Sequence, residues 1–211
     1  MGAYTELRFE AGPGLRRAGV AYVRAAVGGE TGAPLTRDRS GARGQRLEME
    51  LGFLLRASGK RQPIPFARRN GGVCEALVRH LLAGVRELRA EAPALFAGRN
   101  VYVSLIAVEP QASAQERHSD APDRAKGSYA TIIVPLTAHQ GQGTTEFMLG
   151  GAARTPAPGR AYAFDGQVAH RGGANLSRGW RCAVCVVVCK GSDPNRLAGG
   201  SRSWADHLVN A

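Results

Sequence analysis

The sequence predicts a mostly β fold: a barrel or sandwich of short strands between residues 100 and 190, buttressed by helices and loops from the N-terminal part. Three observations predict it. Beyond residue 100 the chain becomes a series of short apolar or alternating runs. Clusters of Gly, Pro and Asn punctuate those runs at the close spacing of an antiparallel fold. A long amphipathic pattern before residue 93 supplies a helix whose apolar stripe needs a sheet to cover.

In chain order, a possible strand at 4–9 precedes a short apolar segment at 18–27. Residues 28–46 are rich in Gly, Arg and Thr without a period and are expected as a loop. LEMELGFLLRA at 47–57 suits a strand or a short helix, and Pro63 and Pro65 break the chain after it. Over 72–92, Val73, Leu77, Leu81, Val85 and Leu88 recur at helical spacing, with Glu75, Arg79, Arg86 and Arg89 opposite, until Pro93 stops the helix. His80 beside the stripe is expected as a partly buried structural residue. The strands predicted next are 101–108, 129–136 (YATIIVPL), 144–149, 161–165 and 181–189 (RCAVCVVVC), separated by GQG, APG and GGAN.

At 211 residues, the expected organisation is a single domain: support at 1–99, core at 100–190 and a tail at 191–211. A chain of this size folds without structural metal or disulfides. The net charge of +11 admits a polyanionic partner such as nucleic acid. Only three lysines occur, and the arginines are spread along an Ala- and Gly-rich chain, so compositional bias is the favoured reading of the charge. Cys182, Cys185 and Cys189 lie in one apolar strand, where thiols pack as core rather than forming a zinc knuckle. Thiols without a signal peptide suit a reducing compartment, cytoplasmic or nuclear, and no apolar run reaches membrane-spanning length.

The chemistry is concentrated in three places. In His118-Ser119-Asp120, the period of two along extended backbone puts the imidazole and carboxylate on one face. His170 follows 50 residues after Asp120. Two His and one carboxylate on one face of an octahedron leave open positions, the arrangement of non-haem Fe(II) oxygenases. Arg181, 11 residues beyond His170, begins the final strand and shares a face with Ala183, Cys185 and Val187. A guanidinium turned into an apolar interior needs an anion, and a dicarboxylate chelating iron at its other end supplies one.

Those residues, with GSYATIIVPLT, GQGTTEFML, PGRAYAFDGQVAHRGG and RCAVCVVV, resemble the 2-oxoglutarate/Fe(II)-dependent dioxygenase superfamily over roughly residues 100–190, nearest its prolyl-hydroxylase-like and phytanoyl-CoA-hydroxylase-like members. The resemblance implies a double-stranded β-helix (jelly roll). It implies Fe(II) on His118, Asp120 and His170, and the distal carboxylate of 2-oxoglutarate on Arg181, with Tyr129 or Thr131 as a hydroxyl partner. O2 is the implied oxidant, with ascorbate as an accessory reductant. The implied reaction is hydroxylation of a substrate C–H bond with release of succinate and CO2. A peptide side chain is the leading substrate expectation. The alternatives are a methylated nucleic-acid base, a small molecule or lipid, and a non-catalytic jelly-roll binding module; the sequence does not fix the oligomeric state.

Other polar residues carry plainer readings. Asp123 and Arg124 follow the His-x-Asp motif in a loop that borders the pocket in such a fold, as solvated groups or as low-ranked substrate contacts. His139 and His207 are expected at the surface. Arg178 competes with Arg181, but its polar turn favours Arg181 for the pocket. Trp180 is expected to pack.

Overall fold

In the computed structural model the described residues are 4–29, 35–38, 44, 46–55, 61–63, 71–120, 129–137, 145–149 and 152–190. In chain order the elements are β1 (Thr5–Glu10), α1 (Pro13–Val27), β2 (Leu35–Asp38), β3 (Arg46–Leu55), β4 (Arg61–Pro63), α2 (Gly71–Glu91), α3 (Pro93–Phe96) and β5 (Asn100–Val108). They continue with β6 (Tyr129–Pro135), β7 (Thr145–Leu149), β8 (Ala152–Arg154), β9 (Arg160–Asp165), β10 (His170–Gly172) and β11 (Arg181–Cys189). A large antiparallel sheet runs β1-β9-β6-β11-β5-β3-β2, with β4 on β3; a small one runs β10-β7-β8. These two sheets form the expected jelly-roll core.

Both faces of β5, β6 and β11 are buried, which is why these central strands read as continuous apolar runs. One face of β11 (Cys182, Val184, Val186, Val188) joins Val103 and Leu105 of β5 and Ile132 and Val134 of β6 beneath the helices. Helix α1 brings Leu15, Tyr22 and Val23 to this layer, and α2 brings Leu77, Leu81, Val85 and Leu88, four of the five stripe positions the sequence predicts; the side chain of the fifth, Val73, lies outside what the structure describes. Gly19 lets α1 approach the sheet closely, because a Cβ there would run into the side chain of Leu136. The opposite face (Ile106, Val108, Ile133, Ala183, Cys185) meets Phe147, Tyr162 and Phe164 inside the roll. The C-x2-C spacing thus sends Cys182 and Cys185 to opposite sides of the sheet, where both are buried. Burial pushes the Cys182 thiol up to about 11, so it stays protonated and serves as packing.

Some sequence expectations need correction. The supposed loop at 28–46 contains β2 and the first residue of β3, so the N-terminal part extends the large sheet as well as bracing it. Of segment 47–57, residues 47–55 are strand in β3 and the last two lie outside the described residues, while the apolar segment at 18–27 is the latter part of α1, which Pro13 starts. Pro93 ends α2 and opens the one-turn α3. His80 is exposed, with its ring against Gly14. Trp180 is half-buried against the helical side of the core. No helix among the described residues is long and apolar enough to cross a membrane.

Candidate metal centre

Segment 112–118 runs antiparallel to 170–175 at the edge of the small sheet. Asn175 N–H donates to Ala112 O, Gln115 N–H to Gly172 O, and His118 and His170 exchange both backbone bonds, each at 2.9 Å. This ladder makes the two histidines direct partners although 52 positions separate them in sequence. Their rings lie 4.6 Å apart, and Asp120 follows His118 on the same face. One ligand atom each from His118, Asp120 and His170 falls within 4.8 Å of the others, the one such group among the described residues.

Local hydrogen bonds aim each donor. The Nδ1 of His118 lies 3.0 Å from Glu116 O and that of His170 2.9 Å from Val168 O, so Nδ1 carries the proton and Nε2 faces the centre. The Nε2 atoms stand 3.8 Å and 3.5 Å from Asp120 Oδ1. Oδ2 of the same carboxylate accepts a 2.6 Å bond from Thr131 Oγ1. His170 is buried against Phe147 and Phe164, with ring centroids 6.0 Å and 4.6 Å away. Burial, opposed by Asp120 and the Val168 carbonyl, holds its pKa below the usual histidine range, leaving it the neutral imidazole a metal requires. The His118 side chain is 37% exposed, so the centre opens to solvent on that side. Two imidazoles and one carboxylate on one side of an open site suit Fe(II).

Arg181 lies farther along the same interior. It is 5% exposed, and its Nη1 and Nη2 donate to Ala174 O (2.9 Å) and Gly173 O (2.6 Å). Burial, then the nearby Arg46 charge, lowers its pKa to about 10, against the opposing influence of Tyr162 and Glu146; it remains a cation at neutral pH. Glu146 is taken by Arg171 at 2.7 Å. Among the described residues no carboxylate forms an ion pair with Arg181. Arg178, its sequence competitor, is exposed.

The structure brings His118, Asp120, His170 and Thr131 together. Thr131 aligns with Val187 across β6 and β11, six positions from Arg181, and its hydroxyl is directed at Asp120. Tyr129 is buried opposite Cys189 at the far end of the pairing. A closer pair of hydroxyls, Tyr162 donating to Thr145 at 2.7 Å, stands within electrostatic reach of Arg181. Asp123, Arg124, His139 and His207 lie outside the described residues. Three contributors are absent from the sequence reading. Asn175 donates to Val108 O, Glu109 O and Gly179 O and fixes the turn before Arg181. Gln115 and Arg46 meet beside Gly172. Only the position of Asn175 within the GGAN turn hints at its role.

No family model matches the sequence, and no curated protein is significantly similar to it. Solved structures are similar in fold. A prolyl hydroxylase from Trichoplax adhaerens, in complex with a hypoxia-inducible-factor oxygen-degradation-domain peptide, superposes with TM-score 0.61 at 13% identity, over 95% of this chain and 88% of that one. The non-heme α-ketoglutarate-dependent epimerase SnoN of nogalamycin biosynthesis gives 0.59 at 16% identity, over 96% and 91%. A Pseudomonas putida prolyl-4-hydroxylase gives 0.54 at 14%, over 90% and 94%. The resemblance noted in the sequence therefore holds at the level of fold.

Proposed function

We propose that this chain is an Fe(II)- and 2-oxoglutarate-dependent oxygenase, with iron on His118, Asp120 and His170 and the distal carboxylate of the cosubstrate on Arg181. The observation that carries the reading is the convergence of three ligand atoms within 4.8 Å in a roll whose interior also holds a buried arginine without a described counter-ion. The similar fold of the prolyl hydroxylases and of SnoN supports it.

When bound, Fe(II) with O2 and 2-oxoglutarate would supply the oxidation of a substrate C–H bond. The residues of the chain supply position and environment. The Glu116 and Val168 carbonyls hold the imidazole tautomers, and Thr131 holds the carboxylate rotamer. Phe147 and Phe164 exclude water from the His170 side. Arg181 sets the far end of the cosubstrate by fork-to-carboxylate pairing with the N–H donors its two carbonyl partners leave over. Hydroxylation of a peptide side chain is the favoured outcome, supported by the peptide-bound prolyl hydroxylase of similar fold.

The reading is tested by adding Fe(II) and 2-oxoglutarate anaerobically and following the weak visible charge-transfer band. Succinate release is then measured in air against peptides, methylated oligonucleotides and metabolite acids. A band on mixing is expected, and a protein that binds neither component is a binding module instead. Within this scheme Thr131 is a positioning residue. Thr131→Val should weaken Fe(II) binding roughly 10–100-fold, as loss of an outer-shell partner does. Thr131→Ser should restore most of it in an anaerobic metal titration. Equal iron affinity in Thr131→Val and wild type would remove Thr131 from the centre.

A further inference from the structure

We propose that Arg46 is a second guanidinium of the cosubstrate pocket, closing with Arg181 on the distal carboxylate of 2-oxoglutarate; the inference rests on the cosubstrate assignment above. Arg46 opens β3 and stands opposite Val108 of β5, which stands opposite Arg181 of β11. Directly paired residues on neighbouring strands share a face, and Val108 lies in the interior cluster, so both arginines belong to the pocket side of one rung. Two strand spacings put their Cα atoms about 10 Å apart, within reach of two long side chains meeting at one ligand.

Their hydrogen bonds bring them closer still. Arg46 Nη1 donates to Gln115 Oε1, which also accepts Gly172 N–H at 3.0 Å, while Gln115 N–H donates to Gly172 O at 2.9 Å. Arg181 donates to the carbonyls of the next two residues, Gly173 and Ala174. The two guanidinium groups therefore stand against successive residues of one segment whose start is the ligand His170. A Cβ at residue 172 would displace Gln115 Oε1, so glycine there leaves Gln115 in place beside Arg46. In the strand register Arg46 pairs with residue 38 of β2, and its Nη1 is directed to Gln115. Among the carboxylates whose side chains are described, none is in ion-pair contact with either arginine, and Glu146 is engaged by Arg171. Two like charges side by side repel, more strongly in a half-buried pocket than in water. One carboxylate between them would turn that repulsion into two attractions.

The test uses the full chain with Fe(II), anaerobically. Dissociation constants are measured by absorbance and calorimetry for 2-oxoglutarate and for 2-oxobutyrate, which chelates alike but lacks the distal carboxylate. For Arg46→Gln the expected result is weaker binding of 2-oxoglutarate by about tenfold or more, as for loss of a charge-assisted hydrogen bond. Binding of 2-oxobutyrate and of Fe(II) alone should be unchanged. Arg46→Lys should fall between, and Gln115→Ala, which leaves Arg46 unanchored, should lose less than Arg46→Gln. Unchanged 2-oxoglutarate affinity in both Arg46 variants, or equal loss for the two acids, would overturn the proposal and leave Arg46 as a structural or substrate-side residue. Wild-type protein that binds Fe(II) but not 2-oxoglutarate would overturn the cosubstrate assignment itself, and this inference with it.

Discussion

Asp120→Ala is expected to abolish Fe(II) retention and succinate formation while leaving the fold intact. The carboxylate is the sole anionic member of the triad, and both Nε2 atoms converge on its Oδ1, at 3.8 Å and 3.5 Å. Its removal leaves two imidazoles facing an open site, one ligand and the only anionic charge short of the facial triad that holds Fe(II). The loss of iron affinity should exceed the roughly 10–100-fold that an outer-shell change costs. The fold should survive because the backbone ladder joining His118 to His170 does not depend on the Asp120 side chain. The loss of the Thr131 hydrogen bond should cost about 1–3 kcal/mol, which lowers stability without removing any strand contact. Metal content after anaerobic loading, with circular dichroism on the same sample, separates the two effects. Stoichiometric iron with normal turnover in Asp120→Ala would rule out this triad.

What the sequence disclosed, and what it concealed, follows from the physics of each element. Strands β5, β6 and β11 are legible because both their faces are buried, and α2 because one face is. His118 and Asp120 share a face through the strand period alone, and Arg181 takes the interior face on the same ground. β10 is different: His170–Gly172 is three residues long, and the ladder to β7 defines it rather than its own composition. β2 reads LTRD, too polar and too short to register as a strand. The partner of Thr131 depends on register between segments distant in sequence, which a single chain does not encode locally. Arg46 was hidden twice, first by lying in an apparent loop and then by a pairing with β5 whose register shifts between Glu50 and Leu54.

Phe147→Ala should produce the largest loss of stability of any change near the site, because the ring joins the small sheet to the roll. It is fully buried, stacked on Tyr4 at 4.8 Å and edge-to-face with Phe164 at 5.1 Å and Tyr162 at 6.1 Å. It also packs on the His170 ring at 6.0 Å. Truncating a buried phenylalanine costs about 3–5 kcal/mol through lost transfer energy and the cavity left behind. Aromatic pairing adds to what is lost here. Equilibrium denaturation of the metal-free protein should show that decrease, with Phe147→Leu losing less. Leu77→Ala provides the contrast. Leu77 is equally buried but lies beneath α2 on the other face of the large sheet. Its truncation should cost about 2–5 kcal/mol, yet leave Fe(II) affinity per folded molecule unchanged. Phe147→Ala should lower that affinity as well, since His170 loses one wall of the pocket that fixes its ring. A loss below about 1 kcal/mol for Phe147→Ala would mean that the small sheet closes without this ring. Equal iron affinities for the two variants would mean that the aromatic cluster stabilises the roll without orienting the ligand.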